Sequence, residues 1–227
     1  MDPAMAAAAA LGIGPALLLM YVAISPYTYP STDKAFFEDR KLFLLFAVGM
    51  VAGVVLFSSY TWFPWSSILV AAGYAIVLEL VKLIIMNLPR FQRRLDSVFY
   101  GTSLGIGMGA TFGFGLAFYT LTLAVEPGIT DYAIISIFTL QQVLLHCGTG
   151  ATIGEGVVRG YPFEFLAQAI VVNLAFQLLM LPVYSADYPL GYATLAAATA
   201  LVAFYCWSMI RRRMPALVAQ AVKQYRL

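Results

Sequence analysis

Charge is what this 227-residue sequence has least of. Only 11% of its residues are Asp, Glu, Lys or Arg, under half of the roughly 25% usual in soluble domains. Set beside a hydrophobic fraction of 62%, that scarcity excludes a soluble domain and marks an integral membrane protein. Long polar stretches are missing too, the longest being loops of about fifteen residues. Cysteine is nearly absent: Cys147 and Cys206 both lie in apolar surroundings, so neither a disulfide framework nor a thiolate metal site is expected. The single histidine, His146, argues against zinc, which draws three or four ligands. No metal, cofactor or nucleic-acid partner is expected. The first 25 residues lack the basic start of a signal peptide and carry Asp2 instead, so they are read as a helix.

Apolar runs are what the chain has in plenty. A spanning helix needs about 20 mostly apolar residues, and seven such runs are present: Met5 to Ala23, Leu42 to Ser59, Ser67 to Met86, Val98 to Leu123, Asp131 to Ile153, Phe163 to Leu181 and Leu190 to Ile210. The expected fold is all-α, a polytopic bundle of seven transmembrane helices over residues 1–210 with a basic tail over 211–227. The link Tyr60-Thr61-Trp62-Phe63-Pro64-Trp65 is an aromatic belt with a proline break, as favoured at a membrane–water interface. Glu126-Pro127-Gly128 turns the chain into the fifth helix.

The basic residues orient the bundle. Lys34, Arg40 and Lys41 follow the first helix, Arg90, Arg93 and Arg94 the third, and Arg159 the fifth. Arg211, Arg212, Arg213, Lys223 and Arg226 follow the seventh, and the alternate loops hold no Lys or Arg. By the positive-inside rule that side is cytoplasmic, which predicts an outside N-terminus, a cytoplasmic C-terminus and residence in the cell membrane.

In the fourth helix, glycines recur at every fourth residue: Gly101, Gly105, Gly109 and Gly113. In a water-soluble helix each would cost roughly 1 kcal/mol against Ala. In lipid the backbone must pair internally, so the segment stays helical. The stripe then lets neighbouring helices touch backbone to backbone. Such a helix belongs in the crowded centre of a bundle.

Polar groups in the apolar runs are the candidate site. A charge at a helix centre costs at least about 2.5–3.5 kcal/mol, so it faces the interior and has a partner. The third helix carries Glu79 and Lys82 on one face. The fifth carries Gln141, Gln142, His146 and Thr149, and the sixth Gln168, Asn173 and Gln177. At about 1.5 Å per residue, Glu79 lies roughly 18 Å and His146 roughly 22 Å below the outer end, while Asn173 lies about 15 Å from the inner one. A cluster of Glu79, His146 and Asn173 beside the glycine stripe is therefore expected, with Lys82 and Thr149 lining the same polar cavity. As chemistry, Glu79 would activate water while His146 and Asn173 orient it or stabilise an oxyanion. As structure, Glu79 and Lys82 form an internal ion pair and His146 is a satisfied hydrogen-bonder that locks helices together. Glu155, near the basic end, is read as a solvated helix-end charge.

Leu78-Glu79-Leu80-Val81-Lys82, then Tyr100-Gly101 leading to Gly105-Ile106-Gly107, then His146 followed by Thr149 and Gly154, resembles the three motifs of PrsW-type intramembrane proteases. These belong with the CAAX-protease and bacteriocin-processing family and with the Aph subunit of gamma-secretase. Gly14-Pro15-Ala16, the glycine helix and Leu144-Leu145-His146 are similar to that subunit in particular. The resemblance implies Glu79 and His146 as catalytic residues if the chain is active. Two departures point the other way. Leu78 stands where the protease motif opens with a glutamate, and Ala110-Thr111-Phe112 where the second motif ends in glutamate or histidine. Asn173 stands at about the place of a second histidine of the Aph subunit, and Asn cannot shuttle a proton at neutral pH. The expected function is thus a catalytically degenerate scaffold whose exposed small-residue faces dock other membrane subunits. The alternative is an active intramembrane peptidase using Glu79 and His146. A transporter or channel would call for an internal repeat and a lined ionisable path, and Asp131 and Glu126 make no relay with Glu79.

Overall fold

A computed structural model describes residues 2–33, 35–64, 66–124, 127–185 and 188–225. The expectations for Lys34, Trp65, Glu126 and Arg226 lie outside the described residues. Helices α1 (Pro3–Ile24), α2 (Asp39–Tyr60), α3 (Ile68–Met86), α4 (Ser97–Leu123), α5 (Ile129–Arg159), α6 (Pro162–Tyr184) and α7 (Tyr188–Ser208) follow one another along the chain. No strand occurs among the described residues. Among the described residues, seven helical spans are long and apolar enough to cross a membrane, which fits a multi-pass membrane protein. Local signals set several of the ends. Asp2 caps α1 by accepting from the Ala4 N–H, with Pro3 in the first turn. Ser67 caps α3. Gly160 closes α5 in the left-handed conformation, φ 80°.

Helix α4 is the axis of the bundle. It is buried along nearly its whole length and packs against α5, α2 and α1. The glycine stripe faces α5. A Cβ added to Gly105 would overlap the His146 carbonyl oxygen, one on Gly101 the Gly150 carbonyl, and one on Gly109 would lie 2.7 Å from the Gln142 carbonyl. Gly113 is looser, 3.2 Å from the Thr139 carbonyl on the same test. On a second face, Gly107 abuts the backbone of Phe46 in α2. Hydroxyls reinforce that contact: Ser103 donates to the Leu42 carbonyl at 2.7 Å and Thr111 to the Met50 carbonyl at 3.0 Å.

The remaining helices pack around this axis. Helix α6 leans on α5, α7 and α3, while α3 scarcely touches α2 beyond the Ser59–Tyr74 hydroxyl pair (2.8 Å) and the Tyr60–Tyr74 rings. Helix α5 runs to Arg159, past the expected end at Ile153. In the fold Gly154 packs onto the Ser97 backbone and Gly156 onto the Phe165 ring, so the helix continues. The segment expected as a tail is also helical. A π-turn, Met209–Arg213, leads into α8 (Met214–Tyr225), whose Met214, Leu217 and Val218 are buried in the main core.

Candidate functional site

Helices α3, α5 and α6 meet around one buried carboxylate. Glu79 and Lys82 lie one turn apart on α3 and are both fully buried. The Lys82 ammonium donates to both Glu79 oxygens, at 2.8 and 3.0 Å, and to the Thr149 hydroxyl of α5 at 2.6 Å. All three of its donors are thereby used. The Thr149 hydroxyl in turn donates to the Leu145 carbonyl at 3.0 Å. From α6 the Asn173 amide donates to Glu79 Oε1 at 2.7 Å. Of the five polar residues singled out in the sequence, the structure thus joins Glu79, Lys82, Thr149 and Asn173 in one hydrogen-bonded network.

His146 stands apart from that network. It is fully buried, and neither ring nitrogen has a hydrogen-bond partner among the described residues. Its ring lies against Phe112, with centroids 5.4 Å apart, and its carbonyl is the surface on which Gly105 rests. The expectation of a satisfied histidine locking helices is therefore not met. The side chain lies against the Phe112 ring, while its backbone forms the α4 contact. Asn173 Oδ1 is likewise buried and without a partner among the described residues.

Glu155 also departs from expectation. It is buried rather than solvated, with Arg159 Nε at 2.8 Å and Arg213 Nη2 at 2.9 Å. Because α5 continues beyond Ile153, this carboxylate faces the first turns of the segment after α7 and clamps it. Nothing in the sequence marked that pairing, since Arg213 lies 58 residues further on. Gln141, one position from Gln142 and so rotated away from it, reaches α7 through the Leu195 carbonyl and the Thr199 hydroxyl, at 3.2 and 2.7 Å.

Two hollows lie away from this network. A hollow of about 190 Å³ between α5, α6 and α7 is lined by apolar groups such as Ile134, Phe138, Pro182 and Leu195. A tighter recess of about 10 Å³, roughly one water's worth, is lined by Phe112, Gln142, Gln177 and their aromatic neighbours, and by neither Glu79 nor His146. Groups of three or more His, Cys, Asp or Glu able to hold a metal are absent among the described residues. Chemically, the network is suited to holding three helices together. A general base needs an approachable lone pair and a water, and the bonded Glu79 carboxylate offers no exposed surface for one. Compared with known families, curated proteins and solved structures, the chain matches no family model, no curated protein and no solved structure.

Proposed function

We propose that this chain is a non-catalytic membrane scaffold: a seven-helix bundle of the cell membrane, N-terminus outside, that binds transmembrane helices of other subunits. The observation that carries the reading is the state of Glu79, fully buried and held by Lys82 and Asn173. A carboxylate so committed is a structural counter-ion. The resemblance to PrsW-type proteases and the Aph subunit, with Leu78 and Phe112 in place of ionisable groups, supports the same reading. The docking face it implies is on α1. The glycines of α4 are spent inside the bundle, whereas Ala6, Ala10 and Gly14 form an exposed small-xxx-small-xxx-small row, and a Cβ on Gly14 would meet nothing within 4 Å. Such a row admits the backbone of another transmembrane helix.

Gentle detergent purification of the native protein, followed by mass spectrometry of what accompanies it, tests the proposal. Stoichiometric membrane subunits that are lost from Ala10→Leu are the expected result. A solitary protein that cleaves transmembrane peptides, and loses that cleavage in Glu79→Gln while keeping its melting temperature, would overturn it. A second reading, the active peptidase, is favoured by one observation. Both nitrogens of His146 are buried and without a partner among the described residues, and a buried imidazole in that state calls for a water, a ligand or a reaction.

A further inference from the structure

At the basic end of the bundle, the turn after α3 and the turn between α5 and α6 enclose a hollow of about 120 Å³. Asn87, Gln92, Arg93, Val157, Gly160 and Pro162 line it. Its backbone is strained at one point. Arg93 has φ 56°, the sole non-glycine residue in the left-handed region among the described residues. A Cβ makes that conformation costly. Here it is held by the Arg93 N–H, which donates to the Val157 carbonyl at 3.1 Å. Strained residues of this kind persist where the surroundings over-determine them, and they gather at ligand sites. The outcome is that the guanidinium lies over the α5–α6 turn: a Cβ on Gly160 would sit 3.5 Å from Arg93 Nε.

Arg93 also differs from the cations around it. Arg94 is paired with Asp96, and Arg159 and Arg213 share Glu155. Arg90 and Arg212 lie over the rings of Phe91 and Trp207. No carboxylate among the described residues pairs with Arg93, and none lines the hollow. Gln92 donates to the Asn87 carbonyl at 2.9 Å and to Asn87 Oδ1 at 3.2 Å, which leaves the Asn87 NH₂ as a donor. The hollow thus offers a fork of N–H groups and an amide, which is the chemistry that holds an oxyanion. Its surroundings set its depth. It follows the end of α3 directly and is flanked by exposed Leu88, Tyr161 and Phe163. A tyrosine such as Tyr161 sits at headgroup level, and basic pockets between helices at that level take anionic headgroups.

We propose that this hollow binds the phosphate group of an anionic phospholipid, with the Arg93 guanidinium as bidentate donor and the Asn87 amide beside it. The inference is independent of whether the bundle is a scaffold or an enzyme. The test is native mass spectrometry of the full chain in detergent with equimolar phosphatidylglycerol and phosphatidylcholine, with melting curves measured alongside. Wild type is expected to retain phosphatidylglycerol over phosphatidylcholine by roughly tenfold, the size of one charge-assisted contact. Arg93→Gln and Arg93→Gly lose that preference, while Arg40→Gln, an exposed cation of the same end that is not part of this hollow's lining, keeps it. Because glycine enters the left-handed region freely, Arg93→Gly keeps or raises the lipid-free melting temperature, which separates loss of ligand from loss of fold. Retained preference in Arg93→Gly would overturn the site. Equal loss in Arg40→Gln would reduce it to general surface charge and overturn it as well. Full displacement of the lipid by millimolar inorganic phosphate would overturn the lipid assignment in favour of a soluble phosphate compound.

Discussion

At the scale of single residues, Glu79 and Lys82 stabilise the bundle only as a pair. Removing one partner of a buried ion pair costs about 3–5 kcal/mol, because the other charge is left uncompensated, whereas replacing both with apolar groups is often neutral. Lys82→Met is therefore expected to lower the melting temperature sharply, and Glu79→Leu combined with Lys82→Met to restore most of it. Thermal unfolding in detergent of the two single variants and the double one reads this directly; additive losses would refute the pairing. His146 makes the opposite case. With neither nitrogen partnered among the described residues and Phe112 against the ring, the imidazole makes no hydrogen bond to another helix there, and apolar replacement of a buried unsatisfied group is nearly neutral or stabilising. His146→Phe should leave the melting temperature unchanged or raise it, and a loss of more than about 1 kcal/mol would point to an unseen partner. The ion pair was legible in the sequence because its members lie one turn apart on one helix, and Asn173 because depth can be counted from helix ends. The isolation of His146 was not legible, since depth says nothing about rotation around the helix axis.

At the scale of helices, the α4–α5 seam depends on the absence of side chains. Gly105→Ala would drive a Cβ into the His146 carbonyl, and forced overpacking typically costs about 1–3 kcal/mol. Gly73→Ala on α3, where a Cβ meets nothing within 4 Å, should be neutral or stabilising by up to about 1 kcal/mol. A melting comparison of these two variants checks whether α4 is the axis, and equal behaviour would count against it. The four-residue glycine spacing made this seam readable in advance. Its reciprocal half was harder to see. Gly150 and Gly154 pack back onto Gly101 and Val98, but they do not share the unbroken four-residue repeat of α4, and Gly154 lies just past the expected helix end at Ile153. The true end of α5 was hidden too, and with it the burial of Glu155. Helix α8 was obscured by the run Arg211-Arg212-Arg213, which reads as solvated until Glu155 and Trp207 are seen to receive two of the three.

At the scale of the whole molecule, all seven spans were readable, because length and hydropathy in lipid leave few alternatives. The orientation rests on the basic loops alone and makes its own prediction. A membrane-impermeant maleimide should label Thr130→Cys in intact cells, and Ser31→Cys only after permeabilisation, with buried Cys147 and Cys206 giving little background. The reverse pattern would invert the topology. The glycine seam also has a mechanical consequence. Where backbone meets backbone there are no rotamers to repack, so α4 and α5 behave as a single stiff post that neither slides nor rolls. Any deformation of the bundle must be taken up at its rim. The weakest part of that rim is α3, joined to α2 by little more than the contacts of Tyr74 with Ser59 and Tyr60. It is tied inward mainly through its packing on α6 and the bonds around Glu79 and Lys82. The buried charges therefore act as a latch on the wall of the bundle that packs least against its neighbours.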